Sequence, residues 1–276
     1  MSRRSTIAAL SLTLLASGGV ALGARCMSPG VARCSWATLT GHEPALDVPY
    51  LGTRPEAVER MLDMAAVGPG DRVLDLGTGD GRILIAAARR GASGTGIDID
   101  PVLVGEARAA AAKAGVADRT RFVAQDLFAT PLRGYSVVTM FLLPRVNLRL
   151  RPDLLRDLTP GARIVSHAFD MGGWPADASA RVGGSHLYMW RVPADVAGEW
   201  QLSDGARLSL HQHFQAIAGT LTRDGSIEAL TGATLSGADI RFAAAGRRYQ
   251  GVVAGDTIRG DGWQARRTTP ADQIDR

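Results

Sequence analysis

The chain has 276 residues, a formal net charge of +4 and a pI near 9.6, with 46% apolar and 5% aromatic residues. That length and apolar content support one large or two modest packed domains and exclude a disordered, highly charged chain. The basic excess is almost wholly arginine, with Lys113 the sole lysine. No arginine-rich run is interleaved with aromatics, so nucleic acid is not expected as a partner.

Residues 1–34 are read as a signal peptide or membrane anchor. Arg3 and Arg4 precede an uncharged stretch from Ser5 to Ala24 that carries Leu10, Leu12, Leu14, Leu15, Val20 and Leu22. Its length lies near the lower limit for a membrane span. Ala21-Leu22-Gly23 offers a small-x-small cleavage site. We favour an uncleaved anchor, its side of the membrane open; the alternative is export after cleavage. Cys26 and Cys34 are the only cysteines, and their spacing is no metal signature. Residues 35–47 show no periodicity and read as a linker.

A catalytic domain is expected over 48–197. Thr53 is a candidate N-cap for a helix with Val58, Met61, Leu62 and Ala65 on one face. Pro69-Gly70 breaks that helix before the run Val73-Leu74-Asp75-Leu76-Gly77-Thr78-Gly79-Asp80-Gly81-Arg82. This predicts a strand, a glycine turn and an alanine-rich helix with an open N-terminus. Glycine suits positions of positive φ and places where a ligand touches bare backbone. A dinucleotide fold wants G-x-G-x-x-G with pyrophosphate on the helix N-terminus. Here Arg82 occupies the third fingerprint position and Asp75 precedes the turn, and both fit a diphosphate poorly. They fit a ligand with an ammonium and a carboxylate, the methionine end of S-adenosylmethionine, with Asp75 facing its cationic end. Asp75, Gly77, Thr78, Gly79 and Gly81 are the first candidate cofactor residues.

Thr95 to Asp98 is the second strand. Asp98 lies 21 residues beyond Gly77, close to the spacing of a ribose-binding carboxylate. Asp98 and Ile99 join the cofactor set. A helix over Val102 to Ala114 leads to a third strand, Arg121 to Ala124. At its end Asp126 is assigned to the adenine amino group, and Leu127 to a backbone N–H and apolar edge. Ser136 to Pro144 reads as a buried fourth strand and its exit, with Phe141, Leu142, Leu143 and Pro144 as an apolar acceptor pocket or simply core. A helix over Leu148 to Leu158 and a fifth strand over Ala162 to Phe169 follow. His167 is a base or acceptor-positioning group, or a structural histidine. Trp174 walls a substrate channel or caps the core. Leu187 to Val192 is read as a sixth strand. Phe141, Pro144 and His167 form the candidate catalytic set.

From 198 to 267 short β-like runs alternate with turn signals such as Asp224-Gly225, Gly246 and Asp261-Gly262. They predict an antiparallel β module, a small sheet or partial barrel. His211 and His213 share one face, but no further ligand accompanies them, so no metal is assigned. Residues 268–276 read as a disordered tail. The fold class is therefore α/β, a Rossmann-like doubly wound, mainly parallel sheet followed by a small antiparallel module.

The D-L-G-T-G-D-G-R run resembles motif I of the class I methyltransferases. Taken with V-P-Y, G-I-D-I-D-P, D-L-F, F-L-L-P and R-I-V-S-H-A-F-D-M, residues 48 to 175 resemble the small lysine methyltransferases related to the ATP synthase c-subunit and adenine-nucleotide-translocase enzymes. The chain departs from that group's V-P-T-P at Leu51-Gly52-Thr53-Arg54. The resemblance implies an S-adenosylmethionine-dependent enzyme that methylates a protein lysine, with a membrane protein as a possible substrate. A small-molecule methyltransferase and a non-catalytic exported interaction protein are the alternatives. The sequence leaves the oligomeric state open.

Overall fold

The computed structural model describes residues 51–270. The expectations for 1–34 and 35–47, and those for Val48, Pro49 and Tyr50, fall outside the described residues. Among the described residues no helix is long and apolar enough to cross a membrane.

Two sheets organise this region. The first has seven strands in the order β3-β2-β1-β4-β5-β7-β6. Strands β1 (Arg72–Leu76), β2 (Ser93–Asp98), β3 (Thr120–Ala124), β4 (Val137–Met140) and β5 (Arg163–His167) are all parallel. β6 (Ala178–Val182) and β7 (Ser185–Arg191) form an antiparallel hairpin whose second strand pairs with β5. The strand order reverses at β1, between β2 and β4. Ligands of doubly wound sheets bind outside the strand ends at such a point.

Helices α1 (Pro55–Met64), α2 (Arg82–Arg89) and α3 (Pro101–Lys113) share one core with one face of the sheet. Helix α4 (Pro144–Asp157) contributes Val146, Leu150 and Leu154 to the core on the other face. β1 is buried throughout after Arg72, and β4 along its whole length. Such runs suit strands covered on both faces. In β7, Leu187 and Met189 enter the first core while Tyr188 and Trp190 enter the second, as the two-residue side-chain period requires.

Several expected boundaries move. The fourth strand ends at Met140, and Phe141 to Leu143 form its exit loop. Helix α4 begins at Pro144, not Leu148, because a proline's fixed φ and missing N–H suit the first helical position. The expected sixth strand is the second arm of a hairpin; its first arm, β6, is a short run of small and polar residues that is nowhere fully buried and gives no apolar signal. Thr53 is not the cap of α1: Arg54 holds that position and makes no side-chain cap bond.

The second sheet is a nine-stranded antiparallel meander, ordered β11-β10-β9-β8-β16-β15-β14-β13-β12. It runs from β8 (Gly198–Leu202), β9 (Arg207–His213), β10 (Ala216–Arg223) and β11 (Ser226–Ala229) through β12 (Thr231–Ser236), β13 (Asp239–Ala244), β14 (Arg247–Ala254), β15 (Thr257–Gly260) and β16 (Trp263–Pro270). The last strand returns to pair with the first, β8. Strand pairing reaches Pro270, three positions past the expected end of the module at 267, so the start of the expected tail is ordered sheet. Its own core holds Trp200, Phe242, Tyr249 and Trp263. The β13–β14 turn carries positive φ at both Ala245 (51°) and Gly246 (70°), the geometry that matches a hairpin's twist. His211 and His213 are exposed on β9, and the described residues hold no group of three or more His, Cys, Asp or Glu side chains suited to a metal.

Candidate active site

The glycine turn joins β1 to α2 at the reversal point. Gly77, Gly79 and Gly81 all have positive φ, at 74°, 54° and 80°. A side chain on Gly81 would meet Phe122 at 2.8 Å and Ala107 at 2.9 Å, and one on Gly77 would meet Leu142 at 2.9 Å. The turn is fastened to the end of β2: the Gly77 and Thr78 amides donate to the Ile97 carbonyl, and the Gly79 amide donates to Asp98 Oδ2 at 2.8 Å. Asp98 Oδ1 accepts from the Asp100 amide at 3.0 Å. Burial pushes the Asp98 carboxyl up from its ordinary range. Ile99, next in the chain, is 40% exposed, an apolar side chain open to solvent beside a half-buried acid.

Asp75 is expected to face the cationic end of the ligand. It is buried beneath the turn, and both of its oxygens are taken: Thr78 Oγ1 donates to Oδ2 and Thr139 Oγ1 donates to Oδ1, each at 2.7 Å. Burial raises its pKa to about 6, the two threonine bonds oppose that rise, and Asp98 and Asp80 reinforce it. Thr78 is correspondingly buried and serves Asp75 rather than the open side of the turn. Thr139 carried a readable signal: it is the lone hydroxyl inside the apolar run Val137-Val138-Thr139-Met140.

Asp126 is exposed at the end of β3 and caps a short 3-10 helix, Leu127–Ala129, by accepting from the Phe128 amide at 2.8 Å. Leu127 lies partly buried in that helix against the α4-side core.

The exits of β4 and β5 come together. The Phe141 ring lies 4.0 Å from the His167 ring and 6.5 Å from that of Phe169. Leu142 turns into the core, so it lines no open pocket. Pro144 is exposed at the first turn of α4. His167 is 5% exposed; its Nδ1 is 3.1 Å from Thr53 Oγ1, and its Nε2 is buried with no hydrogen-bond partner. Burial lowers its pKa, so the ring is held neutral. Ala168 has φ 71°, and the Phe169 amide donates to the His167 carbonyl at 3.0 Å. This is a tight γ-turn, a strained form for a residue other than glycine. Asn147, fully buried on α4, donates to Ser166 Oγ and to the Phe169 and Asp170 carbonyls and so fixes the turn.

Thr53 ties these two halves. Its carbonyl accepts from Arg82 Nη1 at 2.9 Å, and Arg82 also forks onto Asp80 of the glycine turn at 2.9 and 2.6 Å. Gly52 lies so close to Arg82 that a Cβ there would stand 2.5 Å from the guanidinium. The segment before α1 is thus strapped across the turn and onto His167. Trp174 is 1% exposed and donates to Gln215 Oε1 at 2.9 Å; of its two readings, the structure selects core over channel wall.

A doubly wound sheet with an acidic glycine turn at its reversal point and an acid at the end of the second strand defines the class I methyltransferases. The ANTKMT methyltransferase domain matches residues 75–178. The protein-lysine N-methyltransferase of Saccharolobus islandicus (strain REY15A) is 43% identical over 129 residues, covering 46% of this chain and 80% of that protein. The adenine nucleotide translocase lysine N-methyltransferase of Mus musculus is 36% identical over 148 residues, covering 53% of this chain and 64% of that protein. A solved RNA methyltransferase from Salinibacter ruber, in complex with S-adenosyl-L-homocysteine, is 48% identical with a TM-score of 0.52, covering 53% of this chain and 96% of that one. The chain belongs to the family of protein-lysine N-methyltransferases, S-adenosylmethionine-dependent enzymes built on the ANTKMT-type domain.

Proposed function

We propose that the chain methylates a lysine of a protein substrate at the joined exits of β4 and β5. The observation that carries this reading is the apolar, aromatic corner of Phe141, His167 and Phe169, set beside the glycine turn through Leu142 and Gly77. The residues around the turn fit S-adenosylmethionine: three positive-φ glycines leave bare backbone, the Asp75 and Asp98 carboxyls lie at the turn while Asp80 is paired with Arg82, and Ile99 is open to an adenine face. In this reading Gly77, Gly79 and Gly81 admit the methionine end, with Asp75 supplying charge from beneath and Thr78 orienting it. Asp98 takes the ribose hydroxyls through lone pairs its backbone bonds leave free. Asp126 takes the adenine amino group with its second oxygen, and Leu127 flanks the ring.

The cofactor supplies an electrophilic sulfonium methyl. The protein's part is to hold an amine in line and neutral. Alignment of the reacting groups is worth about 7–11 kcal/mol of a barrier of this kind. Deprotonating a lysine at neutral pH costs about 4–5 kcal/mol, and an apolar site reduces that cost. Phe141 walls the site, Pro144 shapes its rim, and buried, neutral His167 positions the Phe141 ring from behind without adding positive charge beside a sulfonium.

A second acceptor class is favoured by one observation: the Salinibacter relative is described as an RNA methyltransferase. Incubation of the protein with methyl-labelled S-adenosylmethionine and an extract from a strain lacking the gene separates the two. Label that is sensitive to protease and recovered as methyl-lysine supports the protein reading. Label that is sensitive to ribonuclease, or confined to low-mass products, overturns it.

We also propose that residues 5–24 hold the enzyme at a membrane, supported by their uncharged, leucine-rich composition. Fractionation with and without these residues tests it; equal recovery in the soluble fraction overturns it.

A further inference from the structure

The methyltransferase fold does not call for a second sheet of this size: in the Salinibacter relative, 53% of this chain accounts for 96% of that one. Yet the nine-stranded sheet is not merely tethered here. The tip of its β9–β10 hairpin enters the methyltransferase core. Phe214, at the turn, is buried in the α4-side cluster with Trp174 and Trp190. Its ring stacks on Trp174 at 5.7 Å with an interplanar angle of 15°. It holds φ 52° to do so, an unusual conformation for an aromatic residue.

Gln215 completes the clamp. Its Oε1 accepts from Trp174 Nε1 at 2.9 Å, and its Nε2 donates to the Pro175 carbonyl at 2.7 Å. Trp174 is bridged back to Met171, whose carbonyl accepts from Arg151 Nη1 at 2.8 Å. The Arg151 guanidinium in turn lies 5.4 Å from the Phe214 ring centre. Residues 169–175 are therefore held from two sides, by α4 through Asn147 and Arg151, and by the hairpin tip through Phe214 and Gln215. This segment begins two residues after His167 and includes Phe169, which packs near Phe141.

We infer that Phe214 and Gln215 are positioning residues for methyl transfer: the β module clamps the buried Trp174–Pro175 end of the segment after β5 and so fixes Phe169, the part of that segment that faces the acceptor corner. The inference rests on the acceptor lying at the exits of β4 and β5. It assigns the appended sheet a part in the reaction, since a misplacement of about 1 Å at a reacting centre can lower rates a hundredfold.

The test uses the full chain with Gln215→Ala, which removes both hydrogen bonds and keeps the Phe214 anchor, and Phe214→Leu, which keeps apolar volume and loses the stack. Three quantities are read: S-adenosylhomocysteine affinity by calorimetry, amide exchange of 169–175 against that of the glycine turn, and label transfer from methyl-labelled S-adenosylmethionine to the proteins of an extract lacking the gene. Both variants are expected to bind S-adenosylhomocysteine within twofold of wild type, to exchange faster at 169–175 only, and to transfer label about tenfold more slowly. Unchanged exchange and transfer would overturn the inference. So would a loss of transfer matched by an equal loss of cofactor affinity, which marks general destabilisation. Should wild type label no protein, the lysine reading fails by itself; the clamp is then judged on exchange, faster at 169–175 supporting it and unchanged refuting it.

Discussion

The two sheets bury different things. The residues that are buried whole and carry polar side chains (Thr53, Asp75, Thr78, Thr139, Asn147, Ser166 and His167) belong to the methyltransferase part, whereas the second sheet covers one charged side chain, Arg267, 7% exposed and laid over Trp200. The nine-stranded sheet buries tryptophan, tyrosine, phenylalanine and aliphatic residues. Buried polar groups are expensive unless fully bonded, so a fold keeps them where chemistry requires charge and direction. Here they gather where β1, β4 and β5 end. The second sheet packs a core of its own, and the tip of its β9–β10 hairpin reaches Trp174 and Pro175.

The largest expected effect tests the supporting side. Trp200→Ala in the second sheet should lower stability by about 3–5 kcal/mol, while S-adenosylhomocysteine affinity stays unchanged at a temperature where the variant is folded. Denaturant unfolding and calorimetry check both halves; a large loss of affinity would break the division drawn above.

Asp75→Asn tests the charge under the turn. A carboxyl whose folded pKa is raised to about 6 from 3.8 gives stability that is present at low pH and lost as pH rises between those values. At pH 8 its buried charge costs about 3 kcal/mol by the shift. The variant should therefore unfold later than wild type at pH 8, with the gain shrinking toward pH 4. It should also bind S-adenosylmethionine about tenfold more weakly, equivalent to roughly 1.4 kcal/mol, with less effect on S-adenosylhomocysteine, whose sulfur is uncharged. Melting curves across pH and paired calorimetric titrations measure this; equal loss for both ligands would remove the sulfonium role.

Two glycines with similar φ sharpen the contrast. Gly81→Ala must fit a Cβ against Phe122 and Ala107, whereas nothing lies within 4 Å of a Cβ on Gly246. Melting should show a loss of about 2–3 kcal/mol for the first and about 1 kcal/mol for the second, with cofactor affinity falling only in Gly81→Ala.

Thr53→Ala is expected to change stability as little as Gly246→Ala, by about 1 kcal/mol for one buried hydrogen bond. Its signature is functional: slower methyl transfer at unchanged S-adenosylhomocysteine affinity, with Thr53→Ser restoring the rate. Because burial lowers the His167 pKa, the stability held by its neutral form is fully present above the ordinary value of 6.5. It is lost as pH falls through the lower folded value. A Thr53→Ala enzyme with wild-type rate and pH profile would leave His167 without a positioning partner that matters.

The sequence by itself determined the glycine turn, the strand before it, Asp98 at the end of the next strand and the antiparallel character of the second sheet. These rest on local rules: glycine at positive φ, runs of apolar residues, and turn residues between alternating strands. Tertiary structure alone decided that Asp75 lies beneath the turn, because its partner Thr139 comes from a neighbouring strand. It alone joined Thr53 to His167, 114 residues apart, and Trp174 to Gln215, 41 residues apart. No local periodicity encodes such pairs, since each exists only where packing brings two distant exits together and a buried polar group must find its one available partner.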